Sequence, residues 1–122
     1  MKVREFLEMT NNIINCGFND SPYYLQQVRP RIVCADGFEM SVQAGSHWYC
    51  YPRANLRDGN YSEVEVGYPS DIEPLIMSYA EGGGKTGYTE NVYAYVPVDL
   101  IDEVLEKHGG IALIGDKEVT KE

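Results

Sequence analysis

Asp36 and Gly37 separate two runs of strand-forming residues, and this pair restricts the fold more than any other feature of the sequence. Asp-Gly readily adopts the positive φ angles of a type I′ turn, whose twist matches that of two paired strands. The sequence therefore predicts an antiparallel hairpin with strands over residues 31–35 and 38–44. Alternate residues of the second strand should share the core face; they are Phe38, Met40, Val42 and Ala44.

Three later segments also have the composition of strands. They lie at residues 61–68, 91–96 and 111–114. In the first of them Val64, Val66 and Tyr68 alternate with glutamates, so these three side chains are expected on one buried face. A polar tail is expected to follow over residues 115–122.

Apolar residues at intervals of three and four predict two main helices, over residues 2–15 and 98–108. A short helix is also predicted over residues 21–27. Ser70 and Glu73 have capping-box spacing, which predicts another short helix that Pro74 keeps irregular. The expected fold class is thus α+β: one domain, with an antiparallel sheet on which an N-terminal helix and a C-terminal helix pack.

The charge and the cysteines exclude several classes of protein. A net charge of −9 over 122 residues argues against a broad basic surface for a nucleic-acid polymer. No apolar run reaches the roughly 18 residues of a membrane helix, and residues 1–17 lack the apolar stretch of a signal peptide. A cytoplasmic protein without a membrane partner is expected. Three cysteines without C-x-x-C spacing predict neither a disulfide framework nor a metal site.

No motif in the sequence predicts catalysis. The run GGGKT at residues 82–86 resembles a phosphate-binding loop, but the pattern requires glycine where Tyr79 stands. His47 and Cys50 are close in sequence, whereas a nucleophile and its base are recognised by spatial geometry. His108, at the end of a predicted helix, is interpreted as a dipole-compensating cation or a surface group. We therefore expect no catalytic residue and no cofactor, and a protein that is not an enzyme.

Tyrosine and arginine are unevenly distributed. The chain has ten tyrosines, and four of its five arginines fall between positions 29 and 57. Aromatic rings stack on adenine, and the planar guanidinium pairs with phosphate oxygens. The long loop at residues 45–60 therefore suits a pocket for a compact phosphorylated nucleotide, with Tyr49, Tyr51, Arg53 and Arg57 as its binding residues. The alternative is structural, since tyrosines pack well on sheets and arginines pair with neighbouring carboxylates.

Three stretches of the sequence share a resemblance. They are RIVCADGFEMSVQAGSHWYCYPR at residues 31–53, YSEVEVGYPS at residues 61–70 and VYAYVPVDLIDEVLEKHGGI at residues 92–111. They resemble small phage and prophage proteins that counter the Thoeris immune system, and more specifically the first-described anti-Thoeris sponge family. The resemblance covers roughly residues 30–111.

The resemblance implies a function. Sponges of this family bind the cyclic ADP-ribose isomers made by Toll/interleukin-receptor-type enzymes and leave them chemically intact. They are homo-oligomers with recessed pockets at a dimer interface, and some form hexamers that also capture cyclic oligonucleotides. The family's pocket includes an asparagine and an aromatic residue, which correspond here to Asn91 and to Tyr79 or Tyr88.

Two other functions are alternatives to the sponge. An acidic decoy could mimic the phosphates of DNA and block a nuclease or another host protein, although its carboxylates do not form a dense stripe in the sequence. A hydrolase of the signal would need a nucleophile or metal that the sequence does not offer.

For a sponge, the glycine-rich loop over residues 81–90 is expected to be mobile without ligand and to close over it.

Overall fold

Six strands form one open antiparallel sheet in the computed structural model, within the residues that it describes, 1–11 and 28–119. The strands are β1 (Ile32–Cys34), β2 (Glu39–Gln43), β3 (Glu63–Gly67), β4 (Val92–Pro97), β5 (Ile111–Ile114) and β6 (Lys117–Glu118). Their spatial order is β4-β3-β2-β1-β5-β6. Two α-helices accompany them, α1 (Val3–Asn11) and α2 (Val98–Lys107). The predicted α+β fold class is confirmed.

The hairpin between β1 and β2 is present, but its turn differs from the predicted type. Ile32 pairs with Met40, the Cys34 N–H donates to Phe38 O (2.8 Å), and the Gly37 N–H donates to Cys34 O (2.9 Å). Gly37 has a φ of 97°, whereas a type I′ turn requires positive φ at both central residues. The connection is therefore a three-residue loop whose glycine forms a bulge.

One hydrophobic core joins the sheet to both helices. The predicted inward face of β2 is buried, as are Val64 and Val66 of β3. The helices contribute the apolar faces that their spacing predicted; the fully buried members include Val3, Phe6, Leu7, Ile101 and Val104. Burying side chains of this size stabilises a fold by about 1.5–3 kcal/mol each. The N–H of Val3 also donates to Asp102 Oδ1 at 2.8 Å, which ties the start of α1 to α2.

The remaining predicted elements have mixed outcomes. Helix α1 is described as far as Asn11, so its predicted extension to residue 15 and the short helix at residues 21–27 lie outside the described residues. The strand predicted over residues 91–96 corresponds to β4, and the last strand matches β5. Within the expected polar tail, the exposed residues Lys117–Glu118 form β6, which pairs with β5.

Two predictions around the end of β3 are wrong. Tyr68 does not share the buried face of Val64 and Val66: its φ is 50° and the residue is 55% exposed. The segment after it is a 3₁₀ helix, Pro74–Tyr79, as irregular as Pro74 suggested. Its cap is Glu73, whose side chain accepts from the Leu75 N–H, while Ser70 Oγ accepts from the Glu39 N–H instead of forming a capping box.

None of the helices in the described part of the chain has the length and apolar character that crossing a membrane requires.

Candidate functional site

Tyr49 connects β3 with β4 through its backbone. Its N–H donates to Glu65 Oε1 at 3.1 Å, and its carbonyl oxygen accepts from the Tyr95 N–H at 3.1 Å. Glu65 lies on the second face of the sheet, because it alternates with the buried Val64 and Val66. Tyr49 is therefore held beside that second face, whereas its neighbours Trp48 and Cys50 pack on the core side.

Two tyrosine rings and a guanidinium group come together there, and we call Tyr49, Arg53 and Tyr95 the tyrosine–arginine cluster. The rings of Tyr49 and Tyr95 are 6.0 Å apart between centroids and tilted by 36°. Arg53 Cζ lies 5.5 Å from the centroid of the Tyr49 ring, within the range of a cation–π contact. Tyr49 is 38% and Tyr95 42% exposed. The cluster offers solvent two aromatic surfaces beside a positive charge.

The backbone at Tyr95 is unusual for an aromatic residue. Its φ is 54°, in the left-handed region that residues with large side chains rarely adopt. The pairing of β3 with β4 shifts register between Val64 and Val66, opposite this position. Such bulges redirect side chains and are over-represented beside functional sites. The sequence predicts a regular strand through Tyr95, because no local pattern marks the bulge.

Glu65 supplies a carboxylate next to the cluster. Burial raises its pKa above the ordinary value, and the nearby carboxylate of Glu81 adds to that effect. The Tyr49 N–H and the Arg53 charge act in the opposite direction without cancelling it. The site thus combines one guanidinium with two carboxylates at its border, and it can accept as well as donate hydrogen bonds.

The structure brings together only part of the binding set predicted in the loop at residues 45–60. Tyr49 and Arg53 are in contact, as described. Tyr51 is 62% exposed, its peptide bond to Pro52 is cis, and its backbone pairs with Glu63. Arg57 is anchored to a different element, because its carbonyl oxygen accepts from Asn11 Nδ2 at 2.8 Å.

Asn91 holds the loop at residues 81–90 from within. It is 7% exposed, and its Nδ2 donates to the carbonyls of Glu81 (3.0 Å) and Gly87 (3.1 Å). Its Oδ1 accepts from the Val92 N–H at 2.8 Å. Both amide hydrogens are engaged by the loop backbone, so Asn91 supports the shape of the loop in the single chain.

Of the two aromatic candidates of the same region, Tyr79 precedes this loop and Tyr88 lies within it. Tyr79 ends the 3₁₀ helix and packs, half-buried, against the core. The half-buried Tyr88 covers Gly84, where an added Cβ would lie 2.7 Å from the ring, and its carbonyl oxygen accepts from the Tyr93 hydroxyl. Ala80, just before the loop, forms an isolated β-bridge with Tyr93, two residues from Tyr95, so the loop begins beside the strand that carries the cluster.

A second polar group lies elsewhere, around His108. Its Nδ1 is 2.6 Å from Asp36 Oδ2 and its Nε2 is 2.6 Å from Glu73 Oε1. Lys107 Nζ donates to the other oxygen of Glu73 at 2.8 Å, and the His108 ring stacks on Phe38 at 4.1 Å. His108 is therefore part of an ion network, where the sequence had indicated a dipole-compensating cation or a surface group.

Neither cysteine that the structure describes has the environment of a nucleophile. Cys50 is buried, its Sγ donates to Gly45 O at 3.1 Å, and burial raises the pKa of its thiol. Burial likewise raises the pKa of Cys34 to about 11. Thiolates are the reactive form, and burial disfavours that form in both groups. In the described residues no group of His, Cys, Asp and Glu side chains is arranged to hold a metal ion.

Comparison with known proteins found no matching family model, no matching curated protein and no matching solved structure.

Proposed function

We propose that the protein binds a nucleotide signal of the cyclic ADP-ribose type at the tyrosine–arginine cluster and holds it without cleaving it, as a sponge that inhibits a bacterial immune response. The observation that carries this proposal is the position of Arg53 over the ring of Tyr49, beside Tyr95. Exposed aromatic rings stack on purines. A guanidinium next to them can pair with a phosphate of the same ligand.

This function requires affinity and no bond-breaking step. A sponge lowers the free signal by mass action, so its concentration must rival that of the signal and its dissociation constant must be lower than that of the effector. Each tenfold gain in affinity corresponds to about 1.4 kcal/mol. The net charge of −9 opposes an anionic ligand at long range, but salt screens charges beyond about 8–10 Å. Arg53 therefore acts locally.

A second copy of the chain is proposed to complete the pocket. Ligand sites usually bury about 70–90% of a small ligand, whereas the rings of the cluster are open to solvent in the single chain. A homo-oligomer, either a dimer or a hexamer built from dimers, would enclose the bound signal between two such surfaces. The proposed setting is the cytoplasm of an infected bacterium, with no membrane and no nucleic-acid polymer as partner.

A capture-and-release assay tests the proposal. The protein is incubated with an equimolar signal preparation from an activated Toll/interleukin-receptor-type enzyme, and the filtrate is analysed before and after heat denaturation. We expect the signal to be depleted first and then recovered intact. Recovery of degraded signal would instead indicate a hydrolase. If nothing is depleted the sponge is excluded, and the acidic decoy becomes the hypothesis to test.

Matched variants connect the assay to the cluster. Tyr49→Ala and Tyr95→Ala should both reduce capture, because each removes a stacking surface worth about 1–3 kcal/mol per base. Tyr68→Ala removes another exposed tyrosine with a left-handed backbone and should leave capture unchanged. Equal loss in all three variants would contradict the assignment of the site.

A further inference from the structure

We propose that Glu65 recognises a hydrogen-bond donor of the bound nucleotide, either the amino group of the purine or a hydroxyl of the ribose. This inference rests on the proposed function and specifies what the site selects. It assigns to the tyrosine–arginine cluster a third kind of contact, in addition to stacking and to phosphate pairing.

The position of the carboxylate is the first argument. Glu65 is in the middle of β3, where it pairs with Gln43 of β2 and lies opposite the bulge of β4. The Tyr49 N–H donates to Oε1 and so fixes the carboxylate at the backbone of a cluster residue. A carboxylate has about four acceptor positions, and Tyr49 is its one hydrogen-bond donor among the described residues. Acceptor capacity therefore remains at the edge of the cluster.

The second argument is that the Tyr49 N–H and the nearby Arg53 charge compensate this carboxylate only in part. Glu65 is half-buried, and it forms no ion pair with any residue in the described ranges. Glu81 places a second negative charge near it. Desolvating a charge costs free energy unless a partner compensates it. A ligand donor would provide that compensation when the site is filled.

The chemistry of the ligand class matches this acceptor. Purines with an exocyclic amino group, and riboses with adjacent hydroxyls, present N–H or O–H donors to a carboxylate. A hydrogen bond to a charged group changes affinity by a factor of roughly 10–150. An analogue that lacks the donor leaves the carboxylate unpaired, so the site should reject it by a similar factor.

Calorimetry with three probes tests the inference. They are cyclic ADP-ribose, its inosine counterpart, in which an oxygen replaces the amino group, and a 2′-deoxyribose analogue. Each is titrated into the parent protein, Glu65→Gln and the control Glu63→Gln, which removes the same charge two residues away on the same strand. Glutamine keeps an oxygen for the Tyr49 N–H, so Glu65→Gln should retain the cluster.

The expected result is a coupling between Glu65 and one ligand group. The parent and Glu63→Gln should bind one of the two analogues at least tenfold more weakly than cyclic ADP-ribose. Glu65→Gln should bind cyclic ADP-ribose at least tenfold more weakly than the parent does. It should bind that analogue no more weakly than it binds cyclic ADP-ribose. The analogue that shows the coupling identifies the donor as base or ribose. A purely structural role for Glu65 would weaken all three probes equally.

Two outcomes would overturn the inference and can be told apart. If Glu65→Gln binds all three probes as tightly as the parent does, or if its loss of affinity simply adds to the loss caused by each analogue, Glu65 makes no hydrogen bond to the ligand group. In either case the sponge proposal still stands. If the parent binds none of the probes and also fails to deplete the signal preparation, the proposed function fails together with the inference.

Discussion

The Nε2 atom of His108 lies 2.6 Å from Oε1 of Glu73 and joins the end of α2 to the start of the 3₁₀ helix. Glu73 is fully buried, and the other nitrogen of His108 faces Asp36. Because both ring nitrogens face carboxylates, both must donate, and the imidazole is held in its charged form.

This network predicts how stability depends on pH. Burial by itself lowers the pKa of His108, but the hydrogen bonds to Glu73 and Asp36 outweigh burial and raise it above 6.5. Burial alone would raise the pKa of Glu73, yet the bonds from Lys107, the Leu75 N–H and His108 lower it below 4.5. The contribution of His108 to the free energy of unfolding is complete below pH 6.5 and is lost as pH rises through the pKa of His108 in the folded protein. The Glu73 contribution is complete above pH 4.5 and is lost as pH falls through its folded pKa.

The free energy of unfolding should therefore be greatest between about pH 4.5 and 6.5, where both contributions are complete. His108→Gln should lower it by about 1–3 kcal/mol in that window and flatten the decline at higher pH. Urea denaturation at several pH values measures both effects. An unchanged decline in His108→Gln would assign the pH dependence to another group.

Arg29 should be a major determinant of stability. It is 3% exposed, and its guanidinium donates to Leu7 O, Thr10 Oγ1, Asn11 Oδ1 and Ala44 O. Arg29→Met leaves these acceptors unpaired and should cost about 3 kcal/mol or more. Arg29→Lys should restore little, because an ammonium lacks the planar fork. Arg4→Met, on the exposed side of α1, should change stability by less than about 0.5 kcal/mol.

Arg53→Ala should weaken capture of the signal by a factor of roughly 10–150, the effect of losing a charge-assisted hydrogen bond to phosphate. Arg57→Ala should have a smaller effect, since Arg53 is the arginine that lies over the Tyr49 ring. Calorimetry on both variants measures the difference, with circular dichroism to establish that each is folded. If the two variants bind as tightly as the parent, neither arginine pairs with phosphate.

Asn91→Ala should loosen the loop at residues 81–90, because it removes the two bonds from Nδ2 to the loop carbonyls and the bond that Oδ1 accepts. Amide hydrogen exchange should accelerate over residues 81–91 but not in β2. Asn60→Ala, at an exposed position, serves as the control. In the parent protein, addition of signal should slow exchange over residues 85–91; protection confined to α1 would contradict closure of the loop.

Gly84→Ala should destabilise the protein more than Gly83→Ala. Both positions have positive φ, 81° at Gly84 and 64° at Gly83. A Cβ added at Gly84 would lie 2.7 Å from the Tyr88 ring, whereas a Cβ added at Gly83 would have no neighbour within 4 Å. The difference in unfolding free energy therefore isolates the contact with Tyr88. Thermal denaturation of the two variants measures it. Equal destabilisation would mean that Tyr88 moves aside at little cost.

The local pattern of apolar and polar residues was sufficient to predict most of the architecture. The alternation around Asp36 and Gly37 predicted the hairpin and the buried face of β2, and helical spacing predicted the buried stripe of α2. Both periods follow from backbone geometry, because a strand turns successive side chains to opposite faces and a helix returns a side chain every three to four residues. Core positions could therefore be assigned before their partners were known.

Tertiary structure alone decided the arrangement of the candidate site. The bulge at Tyr95, the contact of Arg53 with Tyr49 and the acceptor role of Glu65 each depend on strands or loops distant in sequence. His108 meets partners 35 and 72 residues away, and Tyr68 left the core face because its backbone turned left-handed after β3. Such contacts arise from the pairing of whole elements, and the residue types reveal the available chemistry but not which groups meet.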